Sequence, residues 1–374
     1  MSLFMDISSE MIHALLPLFL TTTLGASVLL VGIVDGVAES TASISKVFSG
    51  YISDKIGRRK PLILVGYGLG AISKPFFAIA SAPMLVVGAR FADRIGKGLR
   101  GAPRDALVAD VTPPEMRGRA YGVRQALDTA GAFIGPLTAI ALMALLANDM
   151  RRVFWLALIP AVIAVALVIV GVEDSRATDA KTRPPVRVRD LKRLSARFWG
   201  IVALGVVFTL ARFSEAFLVL KASAEGLPLA LAPLVLVVMN VVYALGAGPA
   251  GALSDRVSAR GLLFWGLIAL IAADFALAFG PGLWGAFSGI TLWGAHMALT
   301  QGLLTKLVAD HAPNDLRGSA FGFFNLATGV TLLIASIIAG LLWDTIGPQA
   351  TFIAGGGFAL IAALMVFMPG LLRR

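Results

Sequence analysis

Long apolar runs separated by short polar interruptions fill the chain from one end to the other. The runs cover residues 2–24, 27–52, 61–80, 83–108, 119–146 and 153–172, then 198–220, 228–253, 262–279, 282–308, 319–342 and 350–367. Most approach or exceed the ~20 residues an α-helix needs to cross ~30 Å of hydrocarbon. Helices that are apolar all round have no amphipathic period, so run length and Gly/Pro punctuation set the boundaries. About twelve membrane-spanning helices are expected, in two sets of six. Residues 1–172 are read as an N-terminal six-helix bundle and 198–374 as a C-terminal one. Between them, 173–197 reads as a linker rich in Arg and Lys, broken by Pro184 and Pro185, with a short amphipathic piece at 188–196 lying on the membrane.

Composition makes the bilayer the solvent for most of these residues. The 374-residue chain is 57% hydrophobic and only 14% charged, with mean hydropathy +0.84. A soluble domain carries about 25% charged residues, so an all-α integral membrane protein is expected. There is no cysteine, and His13, His296 and His311 show no metal-ligand spacing, so neither a metal nor a cofactor is expected. The first run carries Asp6 and Glu10 with no basic segment before them, which argues against a cleaved signal.

The net charge of +10 is explained by loop cations and not by nucleic acid. Cations gather on one side: the turn at 50–60, Arg117, Arg119, the linker, Arg256, Arg260, Arg317, Arg373 and Arg374. The other side has little beyond Arg151 and Arg152. Positive-inside bias then puts both termini and the linker in the cytoplasm, in a multi-pass protein of the plasma (inner) membrane.

The halves repeat each other. LVADVTPPEMRGRAYG at 107–122 returns as LVADHAPNDLRGSAFG at 307–322, and Ser53-Asp54 returns as Ser254-Asp255, at offsets of 200 and 201. Parallel duplication of a six-helix unit is the simplest cause, as in several secondary transporters.

Several of these motifs resemble the major facilitator superfamily over nearly the whole chain. Gly50-x-x-x-Asp54-Lys55-x-Gly57-Arg58-Arg59 is similar to the family's loop motif between helices 2 and 3, and Asp255-Arg256 to its degraded copy between helices 8 and 9. Arg94-Ile-Gly-Lys97-Gly98 resembles the helix 4 motif associated with proton transfer, with lysine where glutamine is common. Gly131-x-x-x-Gly135-Pro136 resembles the start of the helix 5 motif of the antiporter branches, though 137–140 lacks the closing glycine pair. The resemblance implies a drug/proton-antiporter-like transporter working by alternating access, with a small-molecule substrate and protons as its partners.

The charges inside the apolar runs point the same way. An ionisable side chain at the bilayer centre costs ~2.5–3.5 kcal/mol on insertion scales, so each needs a partner, a wet cavity or a task. Asp6/Glu10, Asp35/Glu39 and Arg124/Asp128 are i,i+4 pairs, and Arg90, Arg94 and Lys97 share a face. Glu10, Asp35, Glu39, Arg94, Lys97, Arg124 and Asp128 are the candidates for proton coupling, with Arg212, Glu215 and His296 as second-half cavity candidates. For any one of them an interhelical salt bridge is the plain alternative.

Gly50, Asp54, Gly57, Arg58, Arg59 and Asp105 are expected at a cytoplasmic gate, with Arg58 and Arg59 reaching Asp105 or Asp110. There Asp54 is expected to meet the positive N-terminal end of the helix that follows Arg317 and Gly318. Gly131, Gly135 and Pro136 are expected to form a hinge or close-packed seam in helix 5.

The leading reading is proton-coupled efflux of a small organic molecule by a monomer. An importer or uniporter on the same fold is the rival, and a non-transporting scaffold or sensor is the remote one. No HExxH, GxSxG or GxxxxGK[ST] motif appears, so neither an enzyme nor an ATP-driven pump is expected.

Overall fold

The computed structural model describes residues 1–173, 193–254, 257–300, 303–313 and 316–368. The expected amphipathic piece of the linker and the Asp255-Arg256 motif lie mostly or wholly outside these residues.

In the first part of the chain the helices are α1 (Ser2–His13), α2 (Val28–Ile56), α3 (Lys60–Ile79), α4 (Pro83–Val111), α5 (Arg117–Leu145), α6 (Met150–Leu156) and α7 (Leu158–Gly171). In the second part they are α8 (Ala196–Ala211), α9 (Ala216–Ala224), α10 (Leu234–Ser254), α11 (Ala259–Phe279), α12 (Gly282–Thr300), α13 (Leu303–His311), α14 (Arg317–Thr345) and α15 (Pro348–Val366). Helix is the form in which a lone segment satisfies its own backbone in lipid.

Among the described residues ten helical stretches are long and apolar enough to cross a membrane. The 29-residue α4 is not among them, because its charges lower its hydropathy; nor is α12–α13, where residues 301–302 fall outside the described set.

Several stretches that read as simple runs are interrupted, among them 153–172, which divides at Ala157 between α6 and α7. The first run continues past α1 through a short helix, Leu16–Leu18, into a π-helical turn, Phe19–Thr23. The run at 198–220 breaks between α8 and α9, with Arg212 outside helical geometry at φ −116° and ψ 72°. The break falls at Arg212–Glu215, where no proline or glycine announces it.

The chain divides into two compact units: Met1–Ala26 with Val37–Pro185, and Ser27–Gly36 with Val186–Arg374. The start of α2 therefore groups with the second unit. In the first unit Met5, Ile63, Tyr67, Leu107, Ala161 and Val168 form a buried core between α1, α3, α4 and α7. In the second unit Phe213 contacts Phe217, Trp293 and Phe352 at centroid distances of 5.4, 5.6 and 5.7 Å. Edge and tilted ring contacts of this kind fill space without polar demand. Phe213, Phe217 and Trp293 are therefore buried core residues rather than lipid-facing ones.

Candidate functional site

The charges of the first unit cluster around α4, and glycines make that possible. A Cβ on Gly66 of α3 would lie 2.7 Å from the Gly96 carbonyl, and one on Gly96 would lie 2.5 Å from the Gly66 carbonyl. A Cβ on Gly98 would strike Ser45 of α2 at 2.4 Å. With no side chains at these points, α4 lies backbone-close to α3 and α2. Ser49 Oγ donates to the Gly98 carbonyl at 2.8 Å across the second contact.

Buried on α4 are Arg90, Asp93, Arg94 and Arg100. Arg94 Nη1 lies 3.2 Å from Glu39 Oε1, and Arg94 Nε lies 3.8 Å from Asp93 Oδ2. The pair is asymmetric: the Arg94 side chain is 2% exposed while that of Glu39 keeps 38%. Behind it, Lys74 Nζ donates to Asp93 Oδ1 at 2.8 Å and to Ser9 Oγ at 3.0 Å, and both ionic side chains are almost fully buried. Arg100 stands over the ring of buried Tyr67 at 4.9 Å, a cation–π contact.

From α1, Glu10 Oε2 meets His13 Nδ1 at 3.3 Å, with 20% and 15% of the side chains exposed. Lys97, itself exposed, acts electrostatically on Asp6, Glu10 and Glu39. The two glycines expected at a hinge seat this acidic face on α5. A Cβ on Gly131 would lie 2.8 Å from Asp6 Cβ, and one on Gly135 would lie 2.8 Å from both Glu10 Cβ and the Ile7 carbonyl. Pro136 sits inside α5, which stays helical through it from Arg117 to Leu145.

Arg124 and Asp128 form the expected i,i+4 pair, at 3.0 Å. They belong to a wider cluster: Arg124 also reaches Asp105 at 3.3 Å, and Arg104 reaches Asp105 at 3.3 Å and Asp128 at 3.6 Å. Asp105 was expected at the gate, yet it pairs with Arg104 and Arg124. The gate arginine Arg59 pairs with Asp110, one of its two expected partners, at 3.3 Å, donates to Ser53 Oγ at 2.6 Å, and pairs with Asp54. Gly57 turns the chain from α2 to α3 at φ +70°, a left-handed conformation natural to glycine. At Gly50 an added Cβ would touch Ala102 of α4 at 3.3 Å.

Asp35 and Glu39 share a face of α2 but do not share a site. Asp35, 3% exposed, accepts from Ser214 Oγ at 2.8 Å within the second unit, while Glu39 answers Arg94 in the first. Ser214 also accepts from the Ala216 amide at 3.1 Å, capping α9 beyond the helix break. Arg212 in the break feels Glu215 and Tyr243. His296 lies fully buried on α12, hydrogen-bonded through Nδ1 to the Gly266 carbonyl at 2.8 Å, with Nε2 unpartnered among the described residues.

At the N-terminal end of α2, the Asp344 carboxylate accepts from the Val28 and Leu29 amides. Gly32 and Gly340 permit that approach: added Cβ atoms would lie 2.2 Å from the Ser336 carbonyl and 2.6 Å from Leu29 Cα.

His13, Lys74, Asp93 and Asp344 are participants that spacing alone did not select as site residues. Only His13 carried a usable signal, standing three residues after Glu10. No group of three or more metal-ligating side chains occurs among the described residues.

Comparison with known proteins supplies the rest. The family model described as Major Facilitator Superfamily matches residues 1–330 and 222–373. An uncharacterised MFS-type transporter of Methanocaldococcus jannaschii is 30% identical over 368 residues, covering 96% of this chain and 91% of its own. A multidrug resistance protein of Edwardsiella ictaluri is 36% identical over 132 residues, 35% of this chain and 32% of its own. Among solved structures, a nucleoside transporter aligns with TM-score 0.84 at 13% identity over 98% of each chain. A D-xylose–proton symporter aligns with TM-score 0.74 at 18% identity, covering 98% of this chain and 94% of its own.

Proposed function

The chain belongs to the major facilitator superfamily, a family of secondary transporters of small solutes, and from that premise we propose that it exports a small organic solute in exchange for protons. In this reading two six-helix bundles, 1–172 and 198–374, joined by a cytoplasmic linker, alternate access in a monomer whose termini face the cytoplasm.

The observation that carries proton coupling is the Arg94–Glu39 pair, beside Lys97 and the Glu10–His13 contact. Arg94 is buried and cannot leave its charge behind, whereas Glu39 is partly exposed and can exchange a proton with water. Protonation of Glu39 removes the charge that answers Arg94, and the guanidinium must then find another anion. Asp93 is next to it at 3.8 Å, already engaged by Lys74. A proton taken up at Glu39 thus redistributes the ion pairs that tie α2, α3 and α4 together. Glu10 and His13 extend the same charge network onto α1.

Outward direction is supported by the partial likeness to the multidrug resistance protein, which covers 35% of this chain. The missing glycine pair after Gly135-Pro136 keeps import on the same fold as the second reading.

The test is flux from proteoliposomes under an imposed pH gradient with a solute panel, for the wild type and for Glu10→Gln, Glu39→Gln and Asp128→Asn. Proton-driven efflux is expected in the wild type and should fail in the Glu39→Gln protein. Efflux that survives all three substitutions rejects the coupling residues, and uptake in place of efflux selects the importer reading. Absence of flux for every solute favours a scaffold.

A further inference from the structure

Asp274 lies within α11, in the second unit, far along the sequence from the charges of the first. It is 1% exposed, and neither carboxyl oxygen has a hydrogen-bond partner among the described residues. Facing it are two consecutive glycines of α15. A Cβ on Gly355 would stand 3.0 Å from Asp274 Oδ2 and 2.9 Å from Phe213 Cε1, and a Cβ on Gly356 would stand 3.5 Å from Asp274 Cβ. The carboxyl and the Phe213 ring therefore both border the space that the missing Gly355 side chain leaves. Gly355 and Phe213 also line a small cavity with Leu210, Thr351 and Phe358, roomy enough for about one water. Thr351 already donates its hydroxyl to the Ala339 carbonyl at 2.8 Å.

Among the described residues no charge answers this carboxyl. The packed helix α15 has no titratable residue. On α12 the titratable side chain is His296, bonded to Gly266, two turns along α11 from Asp274. Arg212 and Glu215, on either side of Phe213 and Ser214, act on each other. An ionised carboxylate buried without a partner costs several kcal/mol, far more than a neutral carboxyl. A metal cation would need about six oxygen ligands, and Gly355, Gly356 and Phe213 bring no side-chain oxygen.

We propose that Asp274 is a proton-binding site of the second unit, and that its bound proton allows α15 and Phe213 to close on α11. Release of the proton leaves a charge at the glycine seam that must draw in water or displace the Phe213 ring. Phe213 is part of the break between α8 and α9, so proton release at Asp274 bears directly on the segment that holds Arg212, Ser214 and Glu215. The site stands apart from the efflux reading, because proton occupancy is measurable without any solute.

The experiment is infrared spectroscopy of the full-length protein in lipid, with thermal melts across pH. The wild type should show a protonated-carboxyl C=O band at neutral pH that Asp274→Asn removes and Gly355→Ala shifts. Asp274→Asn should match the wild-type melting temperature at neutral pH and exceed it at alkaline pH. The sign follows from linkage: the folded protein keeps a proton that the unfolded chain releases, so wild-type stability falls as pH rises, and the amide escapes that loss. A band that survives Asp274→Asn overturns the proposal. So does an Asp274→Asn protein that fails to fold at neutral pH, since a neutral isostere would then not replace the carboxyl.

Discussion

The carboxylate of Asp344 holds the backbone amide of Leu29 at 2.8 Å, and that of Val28 at 3.1 Å. A helix N-terminus has four amides without intrahelical partners and carries partial positive charge, so a carboxylate arriving from the end of α14 satisfies both needs. Replacing a capping side chain with alanine costs about 0.5–2 kcal/mol. Asp344→Ala should therefore lower hydrogen-exchange protection at Val28 and Leu29 about two- to thirty-fold, with Asp344→Asn retaining much of it. Unchanged protection in the alanine variant would show that the cap contributes nothing.

Lys74 and Asp93 form a buried ion pair that breaks badly from one side only. Asp93→Asn leaves the Lys74 ammonium without its carboxylate, and such one-sided losses cost ~3–5 kcal/mol. The double variant Lys74→Met/Asp93→Leu removes both charges and should melt well above Asp93→Asn in detergent. Equal melting temperatures for the two would mean that the pair is not what stabilises this region.

Gly135→Ala tests the seat of α1. The new methyl group would lie 2.8 Å from the Ile7 carbonyl and from Glu10 Cβ, so α1 must move away from α5. Overpacking of this kind costs about 1–3 kcal/mol. Because Glu10 and His13 ride on the displaced helix, proton-driven flux should fall further than protein yield does. Gly131→Ala should act in the same direction through Asp6.

At the end of α9, Lys221 Nζ donates to Glu225 Oε1 at 2.5 Å and so satisfies its charge at the helix terminus. That hydrogen bond holds the partly exposed Glu225 carboxyl below its usual range. The folded form thus ionises at lower pH than the unfolded one, and the contribution is present above the ordinary carboxylate pKa and fades as pH falls through the lowered one. The effect should be small at a site that keeps contact with solvent. Glu225→Gln should flatten the acid limb of the melting profile, and an unaltered limb would remove this pair from the account.

Spacing made some of these relationships readable and left others hidden. Asp6, Glu10 and His13 recur at steps of four and three, which one helix translates directly into one face, although the scatter of the histidines led His13 to be passed over as a metal ligand. Gly50, Asp54, Gly57 and Arg59 stand out through their resemblance to the family's loop motif, whereas the pairing of Asp54 with Arg59 has no spacing signal of its own. Lys74 and Asp93 were not, since they meet across two helices 19 positions apart and no period links them. Of the two carboxylates expected to meet Arg58 and Arg59, Asp110 takes Arg59, whereas Arg104 and Arg124 engage Asp105. The break at Arg212–Glu215 had no proline or glycine to mark it, and Asp35 separates from Glu39 because the start of α2 packs within the second unit.

The turn between α2 and α3 spells four cations, Lys55, Arg58, Arg59 and Lys60, and the protein's own groups engage Arg59 and Lys60. Arg59 is 7% exposed and answered by Asp54 and Asp110, and Lys60 donates to the Ile169 carbonyl at 3.0 Å. Dissolved salt screens exposed charges over ~10 Å at 0.1 M and buried pairs much less. Ionic strength high enough to weaken the attraction of Lys55 for anionic headgroups should therefore leave the shape of the turn intact, which limited proteolysis at low and high salt reads directly. The turn's form and its grip on the membrane are separable, because different cations of the same motif supply them.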